Sequence, residues 1–127
     1  RFVMTSGKIY GGGNIMSLID DGALTTTTIP SSYCFRGLFQ NCTSLYKAPD
    51  LPATTLKLGC YYSMFSGCTN LNYIKCLATN KSASNCTYNW VYKVSSTGTF
   101  VKHPDMNNWT NGIRGIPGGW TVEDAVL

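Results

Sequence analysis

The chain has 127 residues, of which 43% are hydrophobic and 13% are charged, and its formal net charge is +4. This length and balance fit one folded domain and argue against global disorder. The basic residues are scattered rather than concentrated in one run, which argues against a nucleic-acid partner. No apolar run approaches the roughly 20 residues that a membrane-spanning helix requires, so no transmembrane segment is expected in this chain.

Residues 1–32 have the composition of an N-terminal cap. Strand-like runs at Arg1–Met4 and Lys8–Tyr10 precede a break at Gly11–Gly13, and the apolar run Ile15–Ile19 follows. The sequence begins with neither an initiator methionine nor a signal-peptide pattern, so we expect it to be a processed or trimmed piece of a longer protein.

Residues 33–102 contain an internal repeat. One repeat period is the number of residues along the chain from Cys34 to Cys60. The segment Tyr33–Ala48 aligns with Gly59–Ile74 without a gap, and a degenerate third copy starts near Cys86. Equivalent positions carry the same kinds of side chain: Cys34 with Cys60 and Cys86, Cys42 with Cys68, Phe39 with Phe65, and Leu45 with Leu71. We interpret these positions as a structural ladder, in which equivalent side chains stack between neighbouring copies.

Each copy combines two local patterns. Cys60, Met64 and Cys68 are spaced as one face of a short helix. A short strand-like run follows at Leu71–Ile74, and Thr99–Lys102 is the corresponding run of the third copy. Stacking such units predicts an α/β fold, a short right-handed β/α solenoid of the leucine-rich-repeat type with parallel strands and a cap at each end.

Residues 103–127 are the predicted C-terminal cap. They are rich in Gly, Asn and Pro, and they carry Trp109 and Trp120, which we expect to fold over the last copy. The prediction is therefore a single domain over residues 1–127, with caps at 1–32 and 103–127 enclosing the repeats at 33–102.

The six cysteines follow the repeat more closely than they follow a metal-site pattern. Five of them occupy ladder positions, where a small apolar side chain is needed, and this favours free, buried thiols. A disulfide between neighbouring copies, such as Cys34–Cys60, remains an alternative because stacked strands lie near the Cα separation that a disulfide tolerates. Cys76 lies outside both ladders. There is no C-x2-C pair and no histidine at zinc-finger spacing, so no metal is expected.

Two features carry potential catalytic chemistry. His103 precedes a proline, and we interpret it as a turn residue. The acidic pair Asp20–Asp21 could act in acid/base chemistry, but it precedes a glycine, and we interpret it as part of a turn as well. We therefore predict no catalytic residues, no cofactor and no enzymatic activity.

Aromatic and basic side chains on or beside the predicted strands are the candidate ligand contacts. They are Tyr46, Lys47, Tyr73 and Lys75. Alternate residues of a strand face opposite sides, so some of these side chains must face outward, where an aromatic cluster suits protein or glycan contact. The alternative is that they pack over the core or the caps.

The segments YCFRGLFQNCTSL (33–45) and LPATTLKLGCYYSMFSGCTNL (51–71) resemble the BspA-like leucine-rich repeats of Bacteroides-type surface proteins. In that family a short helix ends in an aromatic-Ser-Gly-Cys pattern and a Ser/Asn-Leu strand follows. Phe65–Cys68 followed by Asn70–Leu71 matches this pattern, and Phe39–Cys42 followed by Ser44–Leu45 matches it with substitutions. The resemblance covers roughly residues 13–122.

The resemblance implies a right-handed β/α solenoid exported to the bacterial cell surface. It also implies a non-catalytic interaction or adhesion module that binds a protein or glycan on host or neighbouring cells. The chain departs from the family in having only two clear copies and a degenerate third, so any concave binding surface is small. The alternative function is that of a purely structural spacer or capping domain in a larger surface protein.

Overall fold

The computed structural model of the chain describes residues 9–10, 29 and 32–126. The predicted runs at Arg1–Met4 and Ile15–Ile19, and the acidic pair Asp20–Asp21, lie outside these residues. The described part contains five short strands: β1 (Ile9–Tyr10), β2 (Leu45–Lys47), β3 (Tyr73–Cys76), β4 (Thr99–Lys102) and β5 (Thr121–Asp124). They form a two-stranded sheet in the order β1-β2 and a three-stranded sheet in the order β3-β4-β5, and all the pairs are parallel.

The strand register reflects the spacing of the sequence repeat. Tyr73 pairs with Thr99, which lies one repeat period further along the chain, whereas Thr99 pairs with Thr121 after a shorter interval. Backbone hydrogen bonds also link the two sheets, because the amide of Asn72 donates to the carbonyl of Tyr46 at 3.0 Å. The strands therefore follow one another in chain order along one side of the described molecule.

The predicted helices do not form, and the predicted β/α solenoid is therefore wrong. Residues 32–41, 58–67 and 84–93 are successive turns, and none of the described residues is α-helical. In an α-helix each amide donates to the carbonyl four residues earlier. Here the amides alternate: that of Leu38 donates to Phe35 within the same segment (3.2 Å), whereas that of Phe35 donates to Cys60 in the next segment (3.0 Å).

The backbone angles explain why these segments turn rather than coil into helices. In each segment every fourth residue has a positive φ, and from Gly37 onward it occupies the third position of a hydrogen-bonded four-residue turn. These residues form three columns, whose members are spaced by one repeat period: Tyr33, Gly59 and Asn85; Gly37, Ser63 and Asn89; Asn41, Gly67 and Lys93. A turn pattern with a period of four places residues i, i+4 and i+8 on one face, which is the same spacing that suggested a helix.

The core lies between the turn segments and the strands. Aromatic rings from successive segments stack through it: Phe39 on Phe65 (5.8 Å between centroids), Tyr61 on Trp90 (5.9 Å) and Trp90 on Trp109 (5.6 Å). Such pairs contribute roughly 0.5–1.5 kcal/mol each beyond their area burial.

The predicted C-terminal cap extends the sheet instead of only covering it. Residues 121–124 form β5, which pairs with β4 along its length. The two tryptophans of this region do pack against the core, and the indole of Trp120 donates to the carbonyl of Ser95 at 2.8 Å.

Candidate recognition surface

The four predicted ligand contacts lie on β2 and β3 and are half-buried. Ile74 and Cys76 of β3 are fully buried, so Tyr73 and Lys75, which alternate with them along the strand, point away from the core. The ammonium of Lys47 lies 4.9 Å from the centroid of the Tyr73 ring. The structure therefore brings two of the four together, and these two already contact each other.

The predicted ladder residues line the core. Eight are buried and only Cys34 is half-buried; the buried ones are Phe39, Cys42, Leu45, Cys60, Phe65, Cys68, Leu71 and Cys86. Cys76, which the repeat did not place, is also fully buried. All six cysteines are free.

The environment of three of the buried thiols makes them poor nucleophiles. Burial raises the pKa of Cys60, Cys68 and Cys76 to about 12. The thiol of Cys68 also donates to the carbonyl of Phe39 at 2.9 Å. A thiol reacts as its thiolate, so these cysteines are held in the unreactive form at neutral pH.

His103 takes part in a local turn. Its Nδ1 accepts a hydrogen bond from the backbone amide of Asp105 at 3.0 Å, and the Asp105 carboxylate is 3.9 Å from the same atom. Across residues 9–10, 29 and 32–126, no group of three His, Cys, Asp or Glu side chains is placed to hold a metal ion.

A column of two exposed arginines and two half-buried tyrosines crosses the turn side of the molecule. Arg36, Tyr62, Tyr88 and Arg114 occupy equivalent positions of successive segments, each one repeat period after the last. The guanidinium of Arg36 lies 4.9 Å from the Tyr62 ring centroid, the two tyrosine rings stack at 4.8 Å, and the guanidinium of Arg114 lies 4.3 Å from Tyr88. We call these four residues the Arg–Tyr column.

A third tyrosine borders the column. Tyr33 is 44% exposed, and its ring centroid lies 6.5 Å from that of Tyr62 and 5.6 Å from the Arg36 guanidinium. A Cβ at Gly59 would overlap the Tyr33 ring. Only glycine allows the Tyr33 ring to approach the backbone of the next segment this closely.

The two arginines of the column have no acidic partner among the residues that the structure describes. Among the described residues Lys102 pairs with Asp124 (2.6 Å) and the Asp105 carboxylate lies near His103, so neither Arg36 nor Arg114 pairs with a carboxylate of these residues. Each is exposed and is held in place by a tyrosine ring. Within the described part of the chain, this surface therefore presents two positive charges that lie against aromatic rings.

Sequence reasoning missed the Arg–Tyr column because it treated its arginines as scattered surface charges. The signal was present in the repeat: three successive repeat periods from Arg36 reach Tyr62, Tyr88 and Arg114. An alignment of only the matching residue types discards this position, because its members are two arginines and two tyrosines.

Comparison with known proteins found no matching family model, no matching curated protein and no matching solved structure. Within the part of the chain that the structure describes, no helix is both long enough and apolar enough to span a membrane. The resemblance to BspA-like repeats stays a prediction.

Proposed function

We propose that this chain is a non-catalytic interaction module that binds an acidic segment of a protein partner through the Arg–Tyr column. The observation that carries the proposal is the pair of exposed arginines, each held against a tyrosine ring and neither paired with a carboxylate among the described residues. Placement on a bacterial cell surface is part of the proposal and rests on the sequence resemblance.

The residue types of the column support a role in protein recognition. Tyrosine and arginine are among the residues most enriched at energetic hot spots of protein interfaces. Stacking between Tyr62 and Tyr88, and the cation–π contacts at both ends, restrict these side chains before any partner binds. Less side-chain entropy is then lost on binding, where ordering costs roughly 0.5–1.5 kcal/mol per side chain.

The way the rings are stacked favours a protein over a glycan or a nucleic acid. The facing sides of Tyr62 and Tyr88 cover each other, and the arginines lie over their rings at the two ends. Sugars and bases that stack on aromatic residues need a free ring face. The column instead offers ring edges, phenol hydroxyls and guanidinium groups, which suit hydrogen bonds to the side chains of a polypeptide.

The charge of the column indicates an acidic partner. A guanidinium binds a carboxylate through two parallel hydrogen bonds, which are stronger than neutral ones. Complementary charge also raises the association rate and disfavours basic partners.

The test is to select peptides from a displayed random library on the intact 127-residue protein and to measure their dissociation constants by calorimetry. We expect the selected peptides to be enriched in Asp and Glu. The double variant Arg36→Met/Arg114→Met keeps the aliphatic contact with the rings but removes the charge. It should weaken binding by roughly 10- to 100-fold, which corresponds to about 1.4–2.8 kcal/mol.

The matched control is Lys57→Met, which removes an exposed basic residue outside the column. It should leave the affinity within about twofold, because a single exposed charge contributes little. Selection of no peptide would contradict the proposal and favour the spacer function. Acidic peptides that bind the double variant as well as the native protein would refute the assignment of the column. An acidic oligosaccharide that binds more tightly than every peptide would refute the choice of a protein partner.

A further inference from the structure

A polar cleft of about 240 Å³ opens beside the Arg114 end of the Arg–Tyr column. Its lining includes Lys81, Asn85, Tyr88, Thr110 and Arg114. Tyr88 and Arg114 therefore belong both to the column and to the cleft. With a liquid water taking up roughly 30 Å³, the cleft has room for a carboxylate group together with several waters.

Two cationic side chains line the cleft, and each is positioned by an aromatic ring. The ammonium of Lys81 lies 5.5 Å from the centroid of the Trp109 ring, and the guanidinium of Arg114 lies 4.3 Å from that of Tyr88. No acidic side chain of the described residues lines the cleft, and neither cation forms an ion pair with another described residue. The cleft is thus positively charged and has no counter-ion in this part of the chain.

The interior of the cleft is held by its own hydrogen bonds. The hydroxyl of Thr87 donates to the carbonyl of Arg114 at 2.8 Å, which fixes the backbone that carries the guanidinium. The thiol of Cys86 donates to the carbonyl of Lys81 at 3.3 Å. Burial raises the pKa of this thiol, while the positive charge of Lys81 acts in the opposite direction. The Lys81 charge therefore acts on the inner wall of the cleft.

We infer that this cleft is the anchor site for one carboxylate side chain of the acidic protein segment, held between Lys81 and Arg114. The planar guanidinium suits a bidentate contact with a carboxylate, and the ammonium adds a compact point charge. The exposed amide of Asn85 and hydroxyl of Thr110 are further donors at the same cleft. The inference rests on the proposed function and specifies which part of the partner enters which site.

The test uses acetate as a minimal carboxylate and requires no partner. Amide NMR signals of the ¹⁵N-labelled protein are followed during titration with sodium acetate, with sodium chloride at equal ionic strength as the control for screening. Saturable shifts are expected at Asn85, Thr87 and Thr110 with acetate and not with chloride. Equal shifts with chloride would overturn the inference, and so would sulfate binding more tightly than acetate.

Lys81→Met is the decisive variant, and its NMR spectrum also reports whether it folds. It should weaken acetate binding by about tenfold, because one of two charge-assisted contacts is lost. Lys57→Met should leave acetate binding unchanged. If Lys81→Met has no effect on acetate binding, the cleft is not the site.

The same variants separate this inference from the function on which it rests. Acetate binding that depends on Lys81, found together with a failure to select any peptide, would overturn the proposed function and leave an anion site in the cleft. Peptide binding that is lost in Arg36→Met but kept in Lys81→Met would overturn the anchor site and leave the Arg–Tyr column as the recognition surface.

Discussion

The turn columns make a direct prediction about stability, which is clearest at Ser63. This residue has a φ of +51° in the third position of its turn, and the equivalent residue of the preceding segment is Gly37, with a φ of +60°. This left-handed conformation raises the free energy of the folded state by about 1–2 kcal/mol for a non-glycine residue. Replacing it with glycine removes that cost but adds about 0.4–1 kcal/mol of chain entropy in the unfolded state. Ser63→Gly should therefore stabilise the protein by about 0.5–1 kcal/mol.

A second serine of the same segment supplies the matched control. Ser66 is also half-buried, lies three residues further along and does not have a positive φ. Ser66→Gly carries the entropy cost without relieving strain, so it should destabilise the protein by about 0.5–1 kcal/mol. The two Ser→Gly variants should thus differ by about 1–2 kcal/mol, with effects in opposite directions.

The assay is urea unfolding followed by tryptophan fluorescence, with the free energy taken from the midpoint and slope. In a thermal scan Ser63→Gly should raise the melting temperature by about 2–4 °C. Gly37→Ala provides the reverse test, because a Cβ there meets only the Gln40 side chain at 3.3 Å and so adds mainly conformational strain. Equal losses of stability in Ser63→Gly and Ser66→Gly would refute the assignment of a left-handed turn at residue 63.

Two further predictions concern buried polar groups. The Tyr61 hydroxyl is buried and makes no hydrogen bond within the described residues. Tyr61→Phe should therefore leave the free energy of unfolding unchanged or raise it by up to about 1 kcal/mol, as measured by urea unfolding. A loss of more than about 1 kcal/mol would mean that the hydroxyl has a hydrogen-bond partner. The folded-state pKa of Cys60, Cys68 and Cys76 is raised from 9.0 to about 12. Between pH 9 and 12 the unfolded chain has released the protons of these thiols while the folded chain still holds them. The free energy of unfolding is therefore unaffected by these thiols below pH 9, and it falls between pH 9 and 12 by roughly 1.4 kcal/mol per pH unit for each thiol. Urea midpoints at pH 8 and pH 10 check this, and equal midpoints would contradict it.

The repeat was readable from the sequence because stacking preserves side-chain type at buried positions. Phe39 and Phe65 stack at 5.8 Å, and the strand run at Thr99–Lys102 has the predicted bounds. The strand of the preceding copy was displaced, since β3 starts at Tyr73 rather than Leu71. Leu71 is buried outside the strand, and burial alone does not distinguish a strand residue from the turn residue before it.

The helix prediction failed because a period of four resembles a period of 3.6 over a stretch as short as Cys60–Cys68. In a helix the residues i, i+4 and i+8 drift by about 40° per step, whereas in a turn pattern with a period of four they stay in line. The distinguishing signal was the recurrence of glycine and asparagine, as at Gly37 and Asn41 in the first segment and at Asn85 and Asn89 in the third. These residues tolerate a positive φ, and their spacing of four is typical of successive turns and unfavourable for a helix.

The partners of the basic side chains explain why the proposed recognition surface lies on the turns and not on the strands. One outward-facing cation of the strands already has an ion-pair partner, because the ammonium of Lys102 lies 2.6 Å from the Asp124 carboxylate. A partner protein would have to displace this ion pair before gaining its own, and exchanging one exposed ion pair for another yields little free energy. The arginines of the turn side lie over tyrosine rings and form no ion pair with the residues that the structure describes, so a carboxylate can bind there without displacing an ion pair from that part of the chain.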